Sequence, residues 1–577
     1  MRQWMVAAKK ADFYAIAEKF HVDPVVARII RNREVIGEKN IRIYLGGNLS
    51  DLSDPHQMKD MDRLVEILAQ KIRKQAHIRI IGDYDVDGVT SSHLFLTALR
   101  RVGAKVDVVI PHRIQDGYGL SLHLLQQAKE DGVDTILTCD NGIAAIDEIA
   151  WAKAQKMTVL VTDHHAVPFE EHEGRRTEKK SLADAVVNPH QQDCGYPYKE
   201  LCGAGVAWNV IRVLYENYDM DKREAEDLLD FVAMATVCDV MSLTGENRIL
   251  VKEGLKRIRH TKNIGLQALM QACNVQPENI SAYHFGYVLG PCVNATGRLD
   301  TARHALRLFE TGQETEAEEI ARDLVDLNQE RKELTLQGVE MAKKLCEEGG
   351  YENDPILVLF LPDVHESIAG LIAGRIREMY NRPVFVLTRG EEGVKGSGRS
   401  TENYSMYENM CGCAELFTKF GGHPMAAGLS LPEENVEKFR RKINENCPLT
   451  VEEVCPDIHI DMAMPVGYAS TELVHQFALL EPFGKDNPSP LFADRNLSIS
   501  RMWVIGKNRN VLRMSVLSEY GQPVPVIFFG DVETLFAYFT EKFGQEEVEN
   551  ALHGRKNRRK QSISMRQKTS GATSRNM

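Results

Sequence analysis

Between residues 78 and 165 short apolar runs alternate with helically periodic stretches, and that alternation restricts the fold more than any other feature of the chain. Residues 78–85, 106–110, 135–138 and 158–162 read as strands; 89–102, a segment from about 120, and 144–156 read as helices, the first with Leu94, Leu96 and Leu99 on its apolar side. Strands separated by helices pair in parallel through right-handed crossovers. Ligands of such sheets collect at the carboxyl ends of the strands.

Three of these strands run into residues that can hold a metal. The first leads into Asp83, Asp85 and Asp87, the third into Cys139-Asp140-Asn141-Gly142, and the fourth into Asp163-His164-His165. In extended chain the alternate carboxylates share one face, where repulsion would raise their pKa values unless a cation or several donors sat among them. Taken singly, Asp140-Asn141-Gly142 is a turn and a His pair is ordinary core or surface. Three such endings at one sheet rim instead imply a bound divalent cation. Asp239, in the Cys238-Asp239-Val240 ending of the apolar run 231–240, is a further carboxylate behind a buried segment.

Oxygen-rich ligands with one or two imidazoles suit manganese or magnesium better than zinc. Several carboxylates on one rim can hold two cations roughly 3.5 to 4 Å apart, an arrangement suited to in-line attack on phosphorus. The net charge of −12 excludes binding of a polyanion by bulk charge. Eight of the 70 bases lie at or beyond Arg555 with no acid among them, so the rest of the chain is more acidic still. Phosphate must therefore be met by local basic groups, backbone donors or metal. The eleven cysteines form no Cys-x-x-Cys pair and read as reduced thiols. With no apolar stretch long enough for a membrane span and no apolar signal core, a cytoplasmic protein is expected.

Further along, 301–348 is helical and charged and is expected to link two lobes. A buried strand follows from residue 355, then a helix opening at His365-Glu366-Ser367, a strand at 383–387, and glycine-rich segments at 395–400 and 421–428. Glycines allow close backbone approach to anions, and Arg399 and His423 within these segments favour a phosphate-facing surface. Arg113 and Arg298, in glycine-bearing loops, could add forked phosphate contacts.

Asp83-Tyr84-Asp85-Val86-Asp87-Gly88, Asp140-Asn141-Gly142, Asp163-His164-His165 and the segment 421–424 together resemble the DHH phosphoesterase superfamily with its DHHA1 companion domain. The resemblance is greatest to its bacterial single-strand-specific exonucleases. It covers nearly the whole chain, including 113–119, 294–298 and 481–492, where such enzymes enter an OB-type nucleic-acid-binding barrel. It implies an α/β fold: a parallel-sheet DHH domain joined by a long helix to a smaller α/β DHHA1 domain, followed by an OB-type barrel. The boundaries expected are an N-terminal helical segment at 1–70, the DHH domain at 71–300, connecting helices at 301–350, DHHA1 at 351–460, the OB-type domain at 461–554 and a basic tail at 555–577. No apolar strand beyond 554 closes the barrel, so an altered C-terminus with an incomplete barrel and a disordered tail is expected.

The resemblance also implies roles. Asp83 and Asp85 would bind one Mn²⁺ or Mg²⁺, Asp87, His164 and Asp239 the other, and Asp140 would bridge them. Asp163 would orient the histidines, His165 would stand near the scissile phosphate, and Arg113, Arg298, Ser397 and Arg399 would hold a terminal 5′-phosphate. His423 would contact the scissile or a neighbouring phosphate. The implied reaction is metal-dependent 5′ to 3′ hydrolysis of single-stranded DNA to nucleoside 5′-monophosphates in repair and recombination. The implied partners are single-strand-binding protein and a RecQ-type helicase, and the enzyme is expected to be a monomer. Val364-His365-Glu366 departs from relatives in lacking a tryptophan before the histidine. Two alternatives remain: a phosphoesterase for short oligonucleotides or phosphoadenosine phosphate, and a noncatalytic scaffold of the same fold.

Overall fold

The first apolar run forms β1 (His77–Ile81), and the chain then turns sharply into α1 (Val86–Arg101). Further strands β2 (Lys105–Val109), β3 (Thr135–Cys139), β4 (Thr158–Thr162) and β5 (Ala185–Val187) complete a parallel sheet of order β2-β1-β3-β4-β5. The computed structural model describes residues 4–113, 116–172, 175–390, 393–506 and 509–553. Ile78, Ile80, Leu137 and Leu160 pack into one core with Val89, Leu94 and Phe95 of α1, while Ile81, Ile136, Val159 and Val161 pack into another with Leu125, Ile149 and Ala152. Burial on both faces explains why these strands are apolar almost throughout.

The sequence reading extends the first strand too far. The strand stops at Ile81; Asp85 is the N-cap of α1, accepting from Gly88 N at 3.0 Å, and Asp87 lies in the first helical turn. The three carboxylates are thus gathered by a strand-to-helix turn and not by extended alternation. An aspartate at an N-cap satisfies an otherwise orphaned amide, which is why the helix begins there. β5 was not anticipated from the sequence.

Two largely buried helices follow, α2 (Gly203–Asn217) and α3 (Leu229–Cys238). Then comes α4 (Gly290–Leu299), which contains Arg298, so this arginine is helical and not in the expected loop. The 301–348 region divides into a short helix, Ala302–Glu310, and the long α5 (Glu314–Glu348).

The second sheet contains β6 (Leu357–Phe360), β7 (Val384–Gly390), β8 (Gly393–Arg399), β9 (Lys419–His423) and β10 (Ala426–Leu431), in the order β9-β10-β8-β7-β6. Helix α6 (Glu366–Tyr380) packs on it. The glycine-rich segments are strands here. A Cβ at Gly396 would meet Leu387 at 2.4 Å and one at Gly398 would meet Met406 Sδ at 2.3 Å, so these glycines admit neighbouring side chains over the sheet.

Contacts divide the described residues into two units, the first holding 38–456 and 482–488, the second 4–37, 457–481 and 489–553. In the second, Trp4–Val6 pairs in parallel with Ile458–Ile460. An antiparallel sheet of β11 (Ser498–Ile505), β12 (Val511–Leu517) and β13 (Pro523–Phe529) packs Met502 and Leu512 against Val532 and Phe539 of α7 (Val532–Phe543), and against Val548 of a following helix, Gln545–His553. That last helix was not foreseen. The expected basic tail at 555–577, and with it the altered end of the barrel, lies outside the described residues. No described helix is long and apolar enough to cross a membrane.

Candidate metal centre and phosphate pocket

At the carboxyl rim of the first sheet, ligand-type atoms of three overlapping groups approach within 4.8 Å of one another: Asp83, Asp85 and Asp140; Asp87, His164 and Asp239; and Asp140, His164 and His165. The strand-to-helix turn after β1 supplies the first three aspartates, the turns after β3 and β4 supply Asp140 and the histidines, and the C-cap of α3 supplies Asp239. Asp140 has a φ of 62°, in the left-handed region that aspartate tolerates better than most residues.

His164 Nε2 lies 3.1 Å from Asp140 Oδ1, 3.6 Å from Asp239 Oδ2 and 3.7 Å from Asp87 Oδ2. Yet His164 Nε2, Asp140 Oδ1 and Asp83 Oδ1 are buried and make no hydrogen bond. Buried polar atoms left without partners are costly. Several of them facing one another, oxygen in majority, fit divalent cations of the Mn²⁺ or Mg²⁺ type. Burial, then the charge of neighbouring aspartates, raises the pKa of Asp83, Asp85, Asp140 and Asp239; for Asp85 the neighbour is Asp87. This is the repulsion that a cation would relieve.

Asp87 is held differently. Its Oδ2 and Oδ1 accept from Gly203 N at 2.6 Å and Ala204 N at 2.7 Å, the first amides of α2. A helix N-terminus favours an anion. A Cβ at position 203 would meet Asp140 Cβ at 2.6 Å, so only glycine lets this N-terminus approach both carboxylates.

Asp163 does not face the cluster in the same way. Its Oδ1 accepts from His164 N, His165 N and His165 Nδ1 at 2.7, 3.1 and 2.8 Å, and its Oδ2 from Ile143 N at 2.9 Å. Burial pushes this carboxyl up, but the His165 hydrogen bond, both imidazoles and the backbone donor outweigh it and hold its pKa below the usual value. Burial likewise opposes the charge on His165, whose bond to Asp163 and whose aspartate neighbours prevail and raise it to about 9.

Arg113, Arg298, Ser397 and Arg399 gather beside this cluster. The Arg113 guanidinium lies 5.0 Å from the ring centroid of Tyr84, the residue between Asp83 and Asp85. Arg298 Nη1 donates to Ser367 O at 2.7 Å and Arg399 Nη1 to Gly398 O at 2.7 Å. Burial first, then the guanidiniums of Arg113, Arg331 and Arg399, push Arg298 down to about 10; burial and Arg113 also lower Arg399. Neither Arg298 nor Arg399 has a carboxylate partner among the described residues. Tyr84, Arg113, Ser367, Ser397, Lys395 and Phe420 help to line a cavity of 440 Å³. An uncompensated guanidinium cluster beside a cavity suits a phosphate. His423, exposed at the end of β9, is not part of that lining.

Comparison with known proteins gives the family. The family model of the DHH family, N-terminal domain, matches residues 77–236, that of the DHHA1 domain 353–447, and that of the RecJ OB domain 460–561. The chain is 34% identical to the single-stranded-DNA-specific exonuclease RecJ of Haemophilus influenzae over 86% of its own length and 88% of the relative's. The chain belongs to the RecJ family. It is 33% identical to the RecJ exonuclease of Bacillus subtilis over 88% of its length, a match spanning 63% of that longer relative. The crystal structure of Thermus thermophilus RecJ in complex with Mn²⁺ superposes with a TM-score of 0.76 at 27% identity, covering 90% of this chain and 74% of that one.

Three contributions to this RecJ-family site were not foreseen. Tyr118 Oη donates to Asp140 O at 2.9 Å and lies 3.0 Å from His165 Nε2. Asn294 Oδ1 accepts from Val86 N at 3.1 Å, bracing the start of α1. The third is the α2 N-terminus. Its signal was legible, since Gly203-Ala204-Gly205 opens an apolar helix; Tyr118 and Asn294 lie in the segments 113–119 and 294–298 that carry the resemblance, but only their arginines were singled out.

Proposed function

We propose that this chain is a metal-dependent 5′ to 3′ exonuclease that hydrolyses single-stranded DNA to nucleoside 5′-monophosphates. The observation that carries the reading is Tyr84: its two sequence neighbours belong to the carboxylate cluster, and its ring underlies Arg113 of the guanidinium cluster. A cation site and a phosphate pocket one residue apart suit a reaction counted from a phosphorylated end.

In this reading Asp83 and Asp85 would hold one Mn²⁺ or Mg²⁺, Asp87, His164 and Asp239 would hold the other, and Asp140 would serve both. Bound there, the ions would neutralise phosphate charge and lower the pKa of water. Arg113, Arg298, Ser397 and Arg399 grip the terminal 5′-phosphate and so set polarity. Asp163 takes His165 Nδ1 and holds the imidazole charged near the scissile phosphate, with Nε2 against Tyr118 Oη. As the P–O3′ bond breaks, the released nucleotide's 3′-oxygen gains a proton and the water oxygen stays on the new 5′-phosphate of the shortened strand. His423 meets a neighbouring phosphate. The same reading puts the enzyme in the cytoplasm as a monomer, with single-strand-binding protein and a RecQ-type helicase as partners; ultracentrifugation of the purified proteins, alone and together, checks the oligomeric state and the partners.

The decisive assay uses oligonucleotides labelled at either end, with Mn²⁺ or Mg²⁺, beside Asp140→Ala. Release of 5′ label first, lost in the variant and slowed on 5′-hydroxyl ends, is expected. Release of 3′ label first, or full activity in the variant, overturns the reading.

A further inference from the structure

The turn that carries Asp239 is braced by a segment with no role in the site so far, the π-helical turn Phe285–Leu289. The Cys238 thiol donates to the Phe285 carbonyl at 3.3 Å, and a Cβ on Gly290 would meet the same sulfur at 2.3 Å. The segment is therefore seated directly on the last turn of α3. Tyr287 in this turn and Tyr283 just before it are 71% and 61% exposed. Their rings stack, with centroids 5.1 Å apart and planes inclined by 24°, and His284 packs edge-on against Tyr283 at 5.6 Å.

A lone exposed aromatic needs no explanation. A stacked pair held on a π-helical turn is different, because such turns are rare and concentrate at functional sites, and the pair offers flat apolar faces already arranged. Nucleobases of a single strand can stack on such faces whatever their identity; bases of a duplex are already stacked on one another. The acidity of the chain, −12 overall, strengthens the case, since a strand running away from the cut cannot be retained by bulk charge. Position supplies direction. The guanidinium pocket lies beside Asp83 and Asp85 through Tyr84, whereas the tyrosines sit behind Asp239, which groups with Asp87 and His164.

We propose that Tyr283 and Tyr287 form a stacking platform for bases on the 3′ side of the scissile phosphate, an inference that rests on the exonuclease reading for its direction. The site selects unpaired bases and leaves their sequence unread.

The test is binding of 5′-phosphorylated oligonucleotides, followed by fluorescence anisotropy in chelator so that hydrolysis plays no part. The oligonucleotides carry a single abasic position moved stepwise from the 5′ end. For the wild type, an abasic residue at one or two adjacent positions is expected to weaken binding about 5- to 150-fold, the range of base–aromatic stacking. Tyr283→Ala/Tyr287→Ala should lose as much on the intact strand and become indifferent to those abasic positions, while Tyr283→Phe/Tyr287→Phe behaves as wild type. With Mn²⁺ the alanine variant should raise KM and keep kcat. An abasic penalty that survives in the alanine variant, or unchanged binding of the intact strand, overturns the platform and leaves the pair as a surface for a protein partner. If the wild type shows the abasic pattern but never hydrolyses DNA, the nuclease reading fails and the platform stands.

Discussion

His164 Nε2 and Asp140 Oδ1 lie 3.1 Å apart, both buried, and neither makes a hydrogen bond. Two such atoms held face to face without pairing are arranged for a third partner, and their cost to the folded chain is the cost of the site. Burial and then Asp87 raise the pKa of Asp140. A carboxyl raised in the folded state contributes stability that is present at low pH and lost as pH rises through its raised value.

Asp140→Asn should therefore stabilise the metal-free protein at neutral pH and weaken its stabilisation by Mn²⁺. Thermal melts are expected to rank the variant above wild type in chelator and below it in Mn²⁺. Activity should fall by more than the ~10- to 100-fold typical of losing a residue that only orients a ligand. The same rank order with and without metal would count against the site.

Gly203→Ala puts a methyl where Asp140 Cβ leaves 2.6 Å, and α2 must withdraw its amides from Asp87. A loss of about 1–3 kcal/mol in urea denaturation is expected from overpacking, together with weaker Mn²⁺ binding by calorimetry. Gly374→Ala, inside α6 with open space at its Cβ, is the control: it should leave Mn²⁺ binding unchanged and, by helix propensity, raise stability by up to about 1 kcal/mol.

His93 is buried between Phe231 and Phe309 with Nδ1 unpartnered, and burial, then Arg100, pushes its pKa from 6.5 down to about 3. The unfolded chain takes up this proton first, so the group's effect is absent above pH 6.5 and destabilises progressively as pH falls toward 3. His93→Leu should flatten that acid limb. The urea midpoint of the variant is expected to exceed wild type at pH 5 by more than at pH 7.5; equal differences would refute the assignment.

In the second unit, Arg33 forks onto Asp461, with Nη1 to Oδ1 at 2.7 Å and Nη2 to Oδ2 at 3.0 Å, and Asn32 donates to Asp461 O at 3.0 Å. Removing one member of a buried pair strands the other charge at a cost of about 3–5 kcal/mol. Asp461→Ala should lower the melting temperature and expose the peptides around Arg33 and Asp461 to limited proteolysis, while Glu34→Ala, at an exposed pair, does neither.

The strand endings at Asp83, Asp140 and Asp163 were readable because each depends on a few adjacent residues: an apolar run with two buried faces, then polar groups where the strand stops. The choice of cation class followed from ligand chemistry alone. Local pattern misjudged the mechanism that gathers the first triplet, since an N-cap at Asp85 competes with extended chain and wins once α1 packs on the sheet. Arg298 was read as a loop residue, and the glycine-rich segment of β8 was given no strand, because helix and strand there are imposed by neighbours, Tyr84 against Gly297 and Leu387 against Gly396, and not by propensity.

What the sequence by itself determined is therefore the parallel sheet, its acidic rim and the kind of ion that rim suits. Tertiary structure alone decided that the α2 amides hold Asp87, that Tyr118 touches Asp140 and His165, and that Arg113, Arg298 and Arg399, separated by up to 286 positions, come close enough for Arg113 to lower the pKa values of the other two. Those arrangements arise from contacts between residues far apart in the chain. Their free energy comes from packing and from charges brought together, and no local window of residues contains it.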